Sequence, residues 1–114
     1  MSLCELLSLQ CEWQEVIELG AGTTNTDDID LQTLIYYGSA LSNVGRDDSA
    51  LVVYREALKT TKRDHELLWW ARYRRAAAYL RLGRKASART DLARIYAENP
   101  TYADVAQQLA SLGS

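Results

Sequence analysis

Long apolar runs are missing from this 114-residue sequence. Stretches such as Leu34–Tyr37 fall far short of the roughly 20 residues that cross a bilayer, and no basic, apolar, small-residue leader opens the chain. A soluble, cytoplasmic protein with no membrane contact is the expectation. Cysteine is scarce: Cys4 and Cys11 are the two present. On one helix, at about 1.5 Å rise per residue, they stand too far apart to bridge, and neither belongs to a CxxC pair, so both read as free thiols in packing roles. The one histidine, His65, has no motif around it. HExxH, GxSxG and a glycine-rich phosphate loop are all absent, so neither catalysis nor a cofactor or metal is expected, and His65 reads as a surface linker residue. At 47% apolar and 25% charged residues, the composition excludes a disordered chain, a collagen-like repeat and a coiled-coil rod. What remains is one domain able to bury a core without a staple.

Net charge is only −2, but its distribution is lopsided. Residues 1–58 hold ten acids and two bases, whereas residues 59–114 hold five acids and eleven bases. Such polarity suits head-to-tail contacts or two-signed ligands, and ordinary solvated helix faces account for it equally well. In the basic half, Arg72, Arg74, Arg75, Arg81, Arg84, Lys85, Arg89 and Arg94 are interleaved at first with Trp69, Trp70, Tyr73 and Tyr79, a mixture that can grip phosphate and stack bases. Trp69 and Tyr79 nonetheless fall at core spacing, and the acidic half would repel a long polyanion. Nucleic acid is therefore not the expected partner. The acids Asp27, Asp28 and Asp30 lack the spacing of a calcium loop and suit a helix start.

An internal repeat organises the chain. Setting Gly45 on Gly83, 38 residues later, places Gly38 on Ala76, Leu41 on Tyr79, Arg46 on Arg84, Ala50 on Ala88 and Tyr54 on Leu92. Apolar residues recur at three- and four-residue spacing on both sides of each Gly-Arg pair, so each unit reads as two amphipathic helices broken at a glycine. Helices are expected over 2–10, 12–20, 28–44, 47–62, 65–82, 85–98 and 101–112, with no strand. They group as a partial repeat in 1–24, repeats in 28–62 and 65–100, and a capping helix in 101–112 opened by Pro100. Together they make a single domain across 1–114. The four residues beyond a 34-residue period belong most simply to the linker around Arg63–Glu66.

These residues resemble the tetratricopeptide repeat, whose pattern runs W-x2-L-G-x2-Y…A-x3-F…P. Leu34, Tyr37-Gly38, Leu41, Ala50 and Tyr54 stand at successive positions of that pattern, and Ala76, Tyr79, Ala88, Leu92 and Pro100 do so in the next unit. Arg72, Arg75 and Lys62 depart from it. The N-terminal segment around Cys11–Glu18 resembles the end of a further repeat with a short first helix, as though cut from something longer. The resemblance implies an all-α fold, a right-handed α-α superhelix of two full units plus the partial one and the cap. It also implies a protein- or peptide-binding scaffold without catalysis.

In that family the first helix of each unit lines a concave groove. Carried over, the groove would hold Gln32, Ile35, Ser39, Ser42 and Asn43 from one unit. Trp70, Tyr73, Ala77, Leu80 and Arg81 would come from the next, with Arg74 and Arg81 placed to hold a carboxylate or phosphate. The family's chaperone-tail clamp is not expected, since Ile35 and Ser39 stand where its Lys and Asn would. Tyr73 and Trp70 have a second possible role, packing on the C-terminal helix or on a neighbouring segment. The alternative functions are homo-oligomerisation through the acidic and basic ends and a regulatory enzyme subunit. The Ala/Arg/Leu-rich segment Arg72–Ala97 suggests a bacterial source.

Overall fold

The computed structural model describes residues 3–112. Its helices are α1 (Leu3–Leu9), α2 (Trp13–Gly20), α3 (Asp28–Asn43), α4 (Asp47–Ala57), α5 (His65–Arg81), α6 (Lys85–Glu98) and α7 (Val105–Leu112). The described residues contain no strand. The expected start at Ser2 lies outside the described residues.

The turns that pair these helices share one device. After α3, Gly45 takes φ 84° while its N–H donates to the Ser42 carbonyl and that of Arg46 to the Leu41 carbonyl, at 3.0 and 2.8 Å. After α5, Gly83 takes φ 77° and the same two bonds run from Gly83 to Leu80 and from Arg84 to Tyr79. A left-handed residue of this kind satisfies the carbonyls that a helix leaves unpaired at its end. After α1 the device recurs with a cysteine: Cys11 has φ 57°, with bonds from Cys11 to Ser8 and from Glu12 to Leu7. Cys11 precedes Gly45 by 34 residues, and Gly45 precedes Gly83 by 38.

The extra length lies in helices rather than in the linker where it was expected. The loops before α3 and before α5 both run seven residues, whereas α4 has 11 residues against 8 in α2, and α5 has 17 against 16 in α3. The helix expected over 47–62 stops at Ala57. Its last carbonyls, on Glu56 and Ala57, are taken by the Asn25 side-chain amide at 3.0 and 3.1 Å. Arg63 then donates to the Asn25 side-chain oxygen at 3.2 Å and its carbonyl at 2.7 Å, tying the two loops together. At the helix starts, Asp27 accepts from the Asp30 N–H and Asp64 accepts from the N–H groups of Glu66 and Leu67, which is the capping expected of the Asp27–Asp30 cluster. The final helix starts at Val105 rather than 101. Asn99 turns the chain through bonds from the Thr101 and Tyr102 N–H groups, and Ala103 has φ 44°.

α5 divides the core. Leu68, Ala71 and Ala78 pack with α1–α4 around Leu31, Ile35, Leu41 and Tyr54, while Ala76 packs with Ala88, Leu92, Ile95 and Val105. Within the middle hairpin the helices meet most closely at Gly38, where a Cβ would lie 2.6 Å from Tyr54 Cε1. The corresponding pair one unit later is Ala76 and Leu92. The methyl group appears where the facing ring is gone.

Two stability changes follow. Gly38→Ala gains about 1 kcal/mol of helix propensity but forces a methyl into the buried Tyr54 ring, and overpacking of that sort costs about 1–3 kcal/mol. Chemical denaturation is expected to show a net loss that shrinks when Tyr54→Leu is already present. Cys11→Gly removes the cost of a side chain at left-handed φ and is expected to raise stability by about 1 kcal/mol.

Candidate functional site

The helices do not pack symmetrically. α3 rests on α1 and α2, and α5 rests on α3 and α4, so α1, α3 and α5 lie side by side. Among the described residues α2, α4 and α6 make no such contact with one another. These three helices form one side of the stack.

Two adjoining cavities occupy that face, each of about 280 Å³. The first is lined by Ser39, Ser42, Asn43, Tyr54, Arg74 and Arg81. The second shares Ser39, Asn43 and Arg74 and adds an apolar wall of Leu9, Trp13, Tyr36 and Trp70, with Glu5 and Ser8 at the α1 side. Tyr36 and Trp70 meet edge to face, their centroids 5.1 Å apart, which fixes both rings across the α3/α5 seam. One cavity is polar and cationic, the other mainly aromatic.

The cationic cavity is built from small polar side chains that the close helix approach brings together. The Ser39 and Tyr54 hydroxyls lie 3.3 Å apart, and the Asn43 amide donates to the Ser39 carbonyl at 2.8 Å. Burial pushes the Tyr54 phenol up; the Ser39 hydroxyl, Arg74 and Arg81 pull the other way, and the Asp47 carboxylate adds a smaller upward push. Arg81 Nε donates to Asp47 at 3.0 Å, bridging α5 to α4. Arg74 also lines the second cavity, where Glu5 stands. The Ser8 and Ser42 hydroxyl oxygens are buried without a hydrogen-bond partner, and each lines one of the two cavities.

Of the expected groove residues, Ser39, Asn43, Trp70, Arg74 and Arg81 come together here, as does Ser42. Ile35 does not: it is fully buried, because its turn of α3 faces the core. Gln32 and Ala77 are half-buried and line neither cavity, nor does Leu80. Tyr73 faces the other way. Its hydroxyl donates to Asp104 at 2.5 Å and accepts from Gln108 at 3.2 Å, and its ring meets Tyr102 edge to face at 5.9 Å. Tyr73 therefore latches α7, while Trp69 adds a bond to Glu98 at 2.6 Å and a tilted contact with Tyr102.

The groove's α1 edge, including Leu9 and Ser8, was outside the sequence expectation. The signal for it was the 34-residue offset from Cys11 to Gly45, which sets Ser8 on Ser42.

The remaining chemistry-bearing residues lie elsewhere. Arg75 and Asp91 form a paired, largely buried ion pair between α5 and α6, with Nε–Oδ2 2.8 Å and Nη2–Oδ1 2.6 Å. Arg72 is buried, and Arg89 donates to the Leu112 carbonyl. The basic residues of the second half therefore do not make one continuous patch. Cys4 is buried, which pushes its thiol up, and Cys11 is exposed. His65 is exposed as the first residue of α5. The described residues contain no group of three His, Cys, Asp or Glu able to hold a metal ion, and none of their helices is long and apolar enough to cross a membrane. Compared with protein families, curated proteins and solved structures, the chain matches none.

The α7 latch has a pH signature. The Tyr73 hydroxyl, then the Gln108 amide, hold the Asp104 carboxyl below the usual carboxylate range. A depressed native pKa gives stability that is present above the unfolded value, near 4, and is lost as pH falls through the lowered one. Acid titration followed by tryptophan fluorescence is expected to report α7 loosening below about pH 4. Tyr73→Phe is expected to cost about 1 kcal/mol at neutral pH and to shrink that acid step, since the Gln108 amide still bonds to Asp104.

Proposed function

We propose that this chain is a non-catalytic repeat module of the tetratricopeptide type, its helical hairpins stacked as a right-handed superhelix, that binds a peptide segment of a partner protein along the α1/α3/α5 groove. The observation that carries the reading is the joined pair of cavities on the α1/α3/α5 face. A rigid aromatic wall of Trp13, Tyr36 and Trp70 meets a cationic polar end at Arg74 and Arg81. Peptide ligands are held in that way, with aromatic anchors supplying contact area and polar groups fixing orientation. The 34-residue spacing of the first two turns supports the family reading. So do the small buried residues at Gly38, Ala50, Ala76 and Ala88, where the pattern calls for them.

The test is selection of linear peptides from a random library against the folded chain, with the bound face mapped by amide chemical shifts. Selected peptides are expected to shift α1, α3 and α5. Trp70→Ala is expected to weaken them by about 2 kcal/mol, roughly 30-fold, while helicity is retained. Peptides that shift the α2/α4/α6 face instead would overturn the reading. So would salt-sensitive self-association without peptide binding, which would favour pairing of the acidic and basic ends.

A further inference from the structure

The cationic cavity between α3 and α5 has more donors than peptide binding alone requires. Two guanidiniums, Arg74 and Arg81, sit two helical turns apart on one face of α5, about 10 Å along the axis at 1.5 Å per residue. The hydroxyls of Ser39, Ser42 and Tyr54 and the Asn43 amide line the same cavity, while Asp47 bonds to Arg81 and Glu5 lines the adjoining cavity that shares Arg74. Asp47 takes only the Nε of Arg81, so both terminal nitrogens of that guanidinium remain as donors. The Ser42 hydroxyl is buried with no partner in the fold. An unpartnered buried hydroxyl costs about 1–3 kcal/mol.

We propose that this cavity is a subsite for a phosphorylated side chain of the bound peptide, with an adjacent apolar side chain seated against Trp13, Tyr36 and Trp70. The inference rests on the groove reading above. A planar carboxylate has two oxygens on one edge and can engage one guanidinium fully. A phosphate monoester carries nearly two negative charges at neutral pH and three tetrahedral acceptor oxygens, which suits donors converging from two helices and from Tyr54 behind them. A cavity of about 280 Å³ also has room for the larger group.

The experiment has two arms. First, inorganic phosphate and acetate are titrated into the labelled chain while the arginine side-chain Nε–Hε signals are followed. Phosphate is expected to shift Arg74 and Arg81 saturably and acetate at least about tenfold more weakly; Arg74→Ala and Arg81→Ala are each expected to weaken phosphate by about tenfold. Ser42→Ala is the discriminating variant. Removing an unpartnered hydroxyl is expected to leave the melting temperature unchanged or raised while phosphate binding falls several-fold, a combination that a structural role cannot give. Lys85→Ala, on the outer helix α6, is expected to change nothing.

Second, three peptide libraries with phosphoserine, serine or glutamate at one fixed position are compared, and the phosphoserine library is expected to bind the groove more tightly than the other two. Phosphate that acts equally on Lys85→Ala and on the groove variants, or acetate that binds as well as phosphate, would overturn the subsite. Groove binding by the serine library as strong as by phosphoserine would also overturn it, while leaving peptide binding intact. No binding from any library would remove both readings.

Discussion

The absence of a side chain at Gly38 lets α3 lie directly on the ring of Tyr54. That close approach positions the Tyr54 side of the cavity between α3 and α5. It brings the Tyr54 hydroxyl, which belongs to the rear helix of the hairpin, through to the front, where it meets Ser39 and opens into the cavity between α3 and α5. A wider spacing would put a hydrophobic layer between that phenol and the groove. It would also separate Asp47, at the start of α4, from Arg81, at the end of α5, which now bridge across the seam.

The next hairpin solves the same packing problem by other means. Where Gly38, Ser39 and Tyr54 stand, it has Ala76, Ala77 and Leu92, so the methyl arrives, the large ring leaves, and the two hydroxyls disappear together. Where Tyr37 and Val53 stand, it has Arg75 and Asp91, whose ion pair joins the two helices where the middle hairpin has two apolar residues. Losing either charge alone would leave the other stranded in a mostly buried site. The polar chemistry of one hairpin thus opens to the groove, whereas that of the other is enclosed between its own helices.

Helix pairing was legible in the sequence because its markers are local. Gly45 and Gly83 end helices through their own backbone freedom, and the Asp27 and Asp64 caps act within a few residues. The misplaced end of α4 depends on a distant partner. α4 ends at Ala57 because Asn25, more than thirty residues earlier, supplies its capping amide, and no neighbouring residue announces that. The groove was half legible for a similar reason. Helical periodicity distinguishes a buried face from an exposed one only to within a residue or so, and Ile35 and Tyr73 lie at such margins. Ile35 turns inward to the core, and Tyr73 is claimed by Asp104, a partner that no pattern on α5 could reveal. Cys11 hid the third turn by standing where glycine is expected.

The loop contacts at Asn25 have a mechanical consequence. Asn25 caps α4, Arg63 grips Asn25 twice, and the Asp64 N–H bonds to the Asp28 carboxylate, so the loops leading into α3 and α5 are sewn together along one edge of the molecule. At the opposite edge, where the glycine turns lie, half-exposed Arg81 pairs with the largely buried Asp47 across successive hairpins. The stack is therefore bound like a book along its spine: the pages are sewn in register at the edge of Asn25 and Arg63, and Asn43 and Arg81 stand at the fore-edge.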